Sequence, residues 1–518
     1  MAWVVAGVVC LLYFAGTLRP GYLLVRDFVT VPDPVLGAAA LGRDGAAPRA
    51  VPLDAITAVL DPVVPAALQQ RLLLVGSVLL LGAGVGMLVR SRGWPAVVTA
   101  TVVATWNPYV VERLLLGQAP TLLGVAALPW LVIACRPGPY RSQLARALLA
   151  ALPAALTPFG SVLAVATLAL VTTATSGARR AAAVALPSLI LCVPWVVPAL
   201  AGAPTRSAAQ GADAFAARQD SGLGLVGSVL TWGGIWAPGA HLSSRAEVVP
   251  MLAALALVLV VAASAILAVR GGGRRAAALV LAWSVPPVLV LALATPVGLS
   301  VMEVLQQVPG LALFRDTHRL LGVSVVGGAV LAGLLVARTT RSLSPPAVTA
   351  AVALIVSVVV TTVPDGPRRL HAAYTPVAFP SEWADAVSSV PAESRHVLVL
   401  PWQAIRPPLP GGRVPFLDPV PRALEPPTVT SRDLVVRRAD GPVLVPEGEP
   451  EIRLDDPTQA RRALDSRQID VVWWWGVPES EPPPGFVTVH DGSQITVWRR
   501  GGDPRSQLPR GILRPSTH

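Results

Sequence analysis

Few ionisable residues interrupt the apolar stretches of this chain, and those few are the ones with chemistry to offer. Asp27 follows the first apolar run, in Tyr22-Leu-Leu-Val-Arg-Asp-Phe28. An acid partly removed from water there would hold its proton more tightly, which suits a general base. The plainer reading is a local ion pair with Arg26 or Arg19. Asp33, in Asp33-Pro34, is the second acid of the same loop placed to act this way. Glu112 and Arg113 stand inside the otherwise apolar Asn107-Pro-Tyr-Val-Val-Glu-Arg-Leu-Leu-Leu-Gly-Gln118. Charges in such a setting are costly and mark either a functional site or a pair that pins neighbouring helices. Leu313-Phe-Arg-Asp-Thr-His-Arg319 gathers Arg315, His318 and Arg319 around Asp316. If the segment is helical, Arg315 and Arg319 share a face at i and i+4. Two guanidinium forks there suit a phosphate or pyrophosphate, or anchor the chain at a membrane surface.

Other patterns carry less. Gly222-Leu-Gly-Leu-Val-Gly227 matches GxGxxG, but no βαβ unit follows it. The six histidines form no HExxH, so a divalent metal has no readable ligand motif and the cofactor stays unknown. Cys10, Cys135 and Cys192 all fall in apolar runs, which gives no disulfide framework.

These residues must be positioned by a membrane protein. Of 518 residues, 53% are hydrophobic and only 14% charged, and the mean hydropathy is +0.60. A soluble domain carries about 25% charged residues. All 41 basic residues are arginine, which with abundant Ala, Val, Leu, Gly and Pro suggests a GC-rich, actinobacterial genome. The net charge of +11 does not read as a nucleic-acid footprint, because the excess arginines sit in short loops between apolar runs. Apolar runs at 1–17, 72–89, 95–106, 119–135, 181–200, 248–269, 276–293, 320–337 and 348–363 are candidate spans. The stretch 144–175 reads as one helix kinked near Pro158 or as two helices turning at Thr157-Pro158-Phe159-Gly160. The positive-inside rule selects the pair. One set of loops then holds Arg90, Arg92, Arg136, Arg141, Arg146, Arg179, Arg180, Arg270, Arg274, Arg275, Arg338 and Arg341 with no acid. The expectation is a mainly α, multi-pass plasma-membrane protein with about eleven membrane segments. Its N-terminus is cytoplasmic and its C-terminal domain extracytoplasmic.

The membrane part is expected over 1–363. From 364 the composition turns polar and proline-rich, and 364–500 reads as a small α/β domain. His396–Leu400 and Ile469–Trp475 read as strands. Residues 456–467 read as a helix with Pro457 in its first turn. Phe486–His490 and Gln494–Arg499 read as a hairpin around Asp491-Gly492. In a strand Trp473, Trp474 and Trp475 point to alternate faces, so at least one belongs to the core. Residues 501–518 read as a disordered tail.

Three features together resemble the GT-C glycosyltransferases. They are a long first loop with an acid after segment one, the Asn107–Arg113 motif followed by Gly117-Gln118, and Phe314–Arg319 ahead of a span. The closer resemblance is to actinobacterial envelope enzymes such as the α-(1→3)-arabinofuranosyltransferase. It implies sugar transfer from a polyprenyl-phosphate donor to an envelope glycan or lipid acceptor on the outer face. It also implies that an acid of the first outer loop is the base, Asp27 or Asp33 after it. Glu112, Arg113, Arg315, Asp316, His318 and Arg319 are the residues expected to contact the substrate. The chain departs from members with two adjacent acids in the first loop, and the large appended carbohydrate-binding modules of the arabinofuranosyltransferase are not expected within this sequence. The alternatives are a flippase for lipid-linked envelope precursors and a non-catalytic envelope-assembly partner.

Overall fold

The computed structural model describes residues 1–201, 210–308, 310–438, 441–445, 450–478 and 480–501. The expected tail beyond 501 lies outside them. The first helices are α1 (Ala2–Phe14), α2 (Ala66–Leu88), α3 (Trp94–Thr105), α4 (Pro108–Leu115), α5 (Ala119–Ala134), α6 (Tyr140–Ala151) and α7 (Pro158–Ser176). There follow α8 (Ala178–Ala201, with an internal 3-10 turn), α9 (Gln210–Ala214), α10 (Val248–Gly271), α11 (Arg274–Leu293), α12 (Pro296–Gln306) and α13 (Leu321–Thr339). Then come α14 (Pro345–Thr361) and α15 (Gly366–Ala373).

Among the described residues, six helices are long and apolar enough to cross a bilayer, or seven if the bent pair α14–α15 counts as one span. The expected eleven segments are not matched by eleven such helices. Apolar runs exist at the other places, but α1, α3 and α5 are 13, 12 and 16 residues long. The 144–175 stretch is broken between Ala151 and Pro158 into α6 and α7, of which α7 alone is long and apolar enough to cross a bilayer. The Thr157 hydroxyl caps α7 by accepting from Gly160 N at 3.1 Å, and Pro158 occupies the first turn, where its missing N–H costs nothing.

The core of the helical part runs through α2, α3, α5 and α13. Ser77, Thr101 and Thr105 are among the buried polar residues there, and each of these three hydroxyls returns to a backbone carbonyl. The loops joining helices at one end gather the charged residues described below.

Beyond α15 the chain forms a five-stranded sheet. Its strands are β1 (His396–Leu400), β2 (Thr428–Val429), β3 (Ile469–Trp475), β4 (Phe486–Asp491) and β5 (Ile495–Arg500), in the order β2-β1-β3-β5-β4. The first three are parallel and the last two antiparallel. Side-chain alternation divides the sheet between two cores. Val397, Val399, Val471 and Trp473 face one, while Leu398, Leu400 and Val472 face the other. Trp473 is fully buried against Trp383, with ring centroids 5.5 Å apart. Trp474 faces the other way and packs on Trp498. A further helix (Pro457–Ser466) starts where the sequence placed it, with Asp456 accepting from the backbone N–H groups of Thr458 and Gln459.

The sheet region is woven into the first loop. Tyr22 pairs with Val377 and Arg26 with Phe416 as isolated β-bridges. Arg422 meets Asp54 at 3.0 Å, and Arg432 donates to Asp44 O at 2.7 Å.

Candidate functional site

Asp27 stands at the tip of a tight turn. Val25 N donates to Phe28 O at 3.1 Å and Phe28 N returns to Val25 O at 2.8 Å. Arg26 takes the left-handed conformation, with φ 49°. The C-terminal region grips this tip, because Arg26 N donates to Pro415 O at 3.0 Å and Leu417 N donates to Arg26 O at 2.8 Å. Earlier in the same loop, the Gln70 side chain of α2 pairs with both backbone groups of Leu23. From α4's side the turn rests directly on Gly117. A Cβ at 117 would overlap the Val25 carbonyl and come within 2.6 Å of Phe28 N. Gly117 also has φ +74°, a conformation that favours glycine. The Asp27 side chain itself is exposed. Gly117→Ala is therefore expected to shift the turn and cost about 1–3 kcal/mol. Thermal unfolding in detergent would read the loss, and any activity that depends on Asp27 should fall with it.

The sequence of α4 explains its placement. Asn107 caps it by accepting from Val110 N at 3.0 Å, and Pro108 fills the first position. With eight residues it is too short to span a bilayer. Every residue from Pro108 to Leu115 is buried, so its charges must be paired within the protein.

Arg113 is the centre of that pairing. Its guanidinium forks onto Asp316, at 2.5 Å to Oδ2 and 2.9 Å to Oδ1. Nη1 also donates to Gln118 Oε1 at 2.6 Å. The Gln118 amide turns outward and donates to Asp27 Oδ2 at 3.4 Å. Burial would raise the Asp316 carboxyl, but the Arg113 charge and hydrogen bonds outweigh it and hold it well below the usual carboxylate range. Arg113 Nη2 lies 2.7 Å from His318 Nδ1. Arginine has only donors, so Nδ1 accepts and Nε2 carries the proton. Nε2 then donates to Gly233 O at 3.1 Å. His318 is thus a neutral imidazole in one tautomer, stacked on Tyr109. The Tyr109 hydroxyl donates to Arg319 O at 3.0 Å. Arg319 Nε stands 3.3 Å from Asp316 Oδ2, and its side chain is 21% exposed. Arg319 is also within electrostatic reach of Asp27.

Behind Arg113 lies a second buried group. Arg245 holds Asp220 with two hydrogen bonds, of 2.8 and 3.0 Å. Glu112 is fully buried beside them. Its carboxyl is 3.9 Å from Arg245 Nε and 3.7 Å from His318 Nε2, beyond hydrogen-bond distance of either. Burial, then the adjacent Asp220 charge, push the Glu112 carboxyl well above its usual range. Once protonated, Glu112 would be able to donate to Asp220, whose own carboxyl burial would raise but the Arg245 charge and hydrogen bonds hold low. The linkage sign follows. A free glutamate ionises near pH ~4.3. A group raised above that value contributes stability that is fully present below pH ~4.3 and is lost as pH rises toward the folded value. Glu112→Gln has no proton to lose. It is expected to match wild type in thermal stability near pH 4 and to exceed it increasingly toward pH 8.

The structure thus brings Asp27, Glu112, Arg113, Asp316, His318 and Arg319 into one connected cluster. Glu112, Arg113, Asp316 and His318 lie beneath the surface; Arg113 bonds to Asp316 and His318, and Glu112 stands beside His318 and Asp220. Leu313–Arg319 is not an α-helix but falls on two 3-10 turns, Leu311–Phe314 and Thr317–Leu320. The i, i+4 relation therefore does not apply. Arg315 lies over the Phe215 ring at 3.9 Å and Arg319 over Phe159 at 5.8 Å. Asp33 is exposed with φ 48°, and among the described residues no hydrogen bond or ion pair joins it to the cluster. Among the described residues no group of three or more His, Cys, Asp or Glu is arranged to hold a metal. Asp220, Arg245 and Gly233 carry no motif that marks them in the sequence. They come from a long loop without periodicity, and only the fold places them behind Glu112.

No family model matches the chain, and no curated protein matches it. Two solved structures do. The cryo-EM structure of the arabinofuranosyltransferase AftD from Mycobacteria aligns with a TM-score of 0.55 and 17% identity, over 96% of this chain. The chain spans 40% of the length of that protein. A crystal structure of the Archaeoglobus fulgidus oligosaccharyltransferase, tethered to an acceptor peptide, aligns with a TM-score of 0.43 and 12% identity. That alignment covers 91% of this chain and 68% of the other. The chain therefore shares its fold with the arabinofuranosyltransferase AftD along nearly its whole length.

Proposed function

We propose that this membrane protein is a glycosyltransferase that moves a sugar from a polyprenyl-phosphate donor to an envelope glycan or lipid acceptor. The reaction takes place on the extracytoplasmic face of the plasma membrane, with the N-terminus cytoplasmic. The observation that carries this reading is the exposed Asp27 carboxylate, held by Gln118 and through it by the buried Arg113–Asp316 pair. Asp27 takes the proton of the acceptor hydroxyl as its oxygen attacks the anomeric carbon. The new carbon–oxygen bond forms while the bond to the phosphate oxygen breaks, through an oxocarbenium-like transition state. The lipid phosphate leaves with the negative charge, and Arg319 and Arg315 stabilise it. Arg319 suits this role because part of its side chain reaches the surface.

The remaining residues act as scaffold. Arg113, Asp316 and His318 position Gln118 and Arg319, and Glu112 fixes the loop carrying Asp220 behind them. Asp33 has no comparable support, so the base is Asp27. The test is linkage analysis of the envelope glycans in a deletion strain. Loss of one linkage, restored by the wild-type protein, supports the reading and identifies the product. An unchanged glycan profile with accumulation of a lipid-linked precursor would instead indicate translocation.

A further inference from the structure

Helix α12 is too short to cross a bilayer. Its 11 residues span about 16 Å, against a hydrocarbon core of about 30 Å. Its sequence, Pro296-Val-Gly-Leu-Ser-Val-Met-Glu-Val-Leu-Gln306, nevertheless divides into three sectors. Val297, Val301 and Val304 lie within about 60° of one another on the helical wheel. They are 76%, 47% and 64% exposed. Gly298, Met302 and Gln306 form a second sector, which is buried. The helix packs against α9 and α11. Ser300, Glu303 and Gln307 form the third sector, polar and at least partly open.

A helix with one face on protein, one polar and one exposed and apolar fits a boundary between water and lipid. Its place in the chain says what covers the apolar face. Only Ala294 and Thr295 separate α12 from α11, a span whose apolar surface is barely buried in the protein. Thr295 caps the new helix by accepting from Gly298 N at 3.2 Å. The chain therefore leaves the bilayer at Leu293 and turns at once into α12.

We propose that α12 lies in the bilayer surface, with Val297, Val301 and Val304 against lipid acyl chains and Ser300, Glu303 and Gln307 toward water. This interaction surface does not depend on the transferase reading. It sets the depth of the segment that follows, Leu311–Arg319, at the level of the lipid headgroups.

The experiment is site-directed fluorescence in proteoliposomes. Cys10, Cys135 and Cys192 are first replaced. Val304→Cys, Val301→Cys, Ser300→Cys and Arg453→Cys variants of the full chain are then labelled with an environment-sensitive dye. Arg453, 71% exposed in the C-terminal region, reports bulk water. Phosphatidylcholine–phosphatidylglycerol vesicles carry a nitroxide on the lipid acyl chain as quencher. The labels at 301 and 304 are expected to emit at shorter wavelength and to be quenched at least threefold more than those at 300 and 453. Emission like that at 453 would overturn the proposal. So would a blue-shifted label that the lipid nitroxide does not quench, because protein would then cover the stripe. Two labelled valines guard against one variant failing to fold.

Discussion

Asp27→Asn is expected to abolish restoration of the missing glycan linkage in the deletion strain, at unchanged protein abundance. A positioned general base contributes about 10²–10⁴-fold to rate, and an amide cannot take the acceptor's proton. The substitution should leave the fold intact. The carboxylate is exposed and receives one long hydrogen bond from Gln118, at 3.4 Å. An asparagine oxygen accepts the same bond, so thermal unfolding should shift by no more than about 0.5 kcal/mol, as at ordinary surface positions. That combination, lost activity with retained stability, is what separates a base from a structural acid. Asp33→Asn is the internal comparison and should restore the linkage as wild type does. If Asp27→Asn complements fully, the base lies elsewhere and Asp27 serves only to shape its turn.

Sequence patterns were most informative where the physics is local. Asp456 followed by Pro457 marks a helix start from five residues, and the structure begins a helix there. Alternating side chains over Ile469–Trp475 mark a strand whose Trp473 and Trp474 must part company, and they do. Pro158 behind a threonine cap marks the break in the 144–175 stretch. Counting spans was harder, because hydropathy measures how apolar a segment is and not how long a helix it makes. The run at 95–106 is mostly apolar, with three threonines, yet Gly93 and Asn107 bound it to a helix of 12 residues.

The site was legible in pieces only. Charges inside apolar segments pointed to Glu112, Arg113, Asp316 and Arg319, because such groups need partners. Which partners they take was not legible. Arg113 and Asp316 are 203 positions apart, and Glu112 faces an acid from a loop with no periodic signal. Least visible was the grip on the Asp27 turn by Pro415 and Leu417. Those are backbone hydrogen bonds across some 390 positions, and no side-chain type announces them. Their consequence is functional. The polar C-terminal region looks like an appendage in the sequence, but it helps to hold the residue proposed as the base.

Arg113→Met should show how that residue is supported from beneath. Removing one partner of a buried ion pair costs about 3–5 kcal/mol, because the other charge stays buried and unpaired. Here Asp316 would lose both strands of the fork, and Gln118 and His318 would each lose a donor. A large drop in thermal stability is therefore expected. The double variant Arg113→Met, Asp316→Leu tests the meaning of that drop. Replacing both charges by apolar side chains removes the unpaired charge and is often close to neutral. Most of the lost stability should return, less about 1–3 kcal/mol for the polar atoms left on Gln118 and His318. Activity should not return with it. Gln118 would no longer be anchored, so the amide facing Asp27 could rotate away, and Arg319 would lose Asp316. Unfolding in detergent and linkage restoration, measured on both variants, separate the two effects. If activity recovers together with stability, the buried pair is a support for the fold alone. If stability recovers and activity does not, Arg113 and Asp316 are positioning residues that act through Gln118 and Arg319.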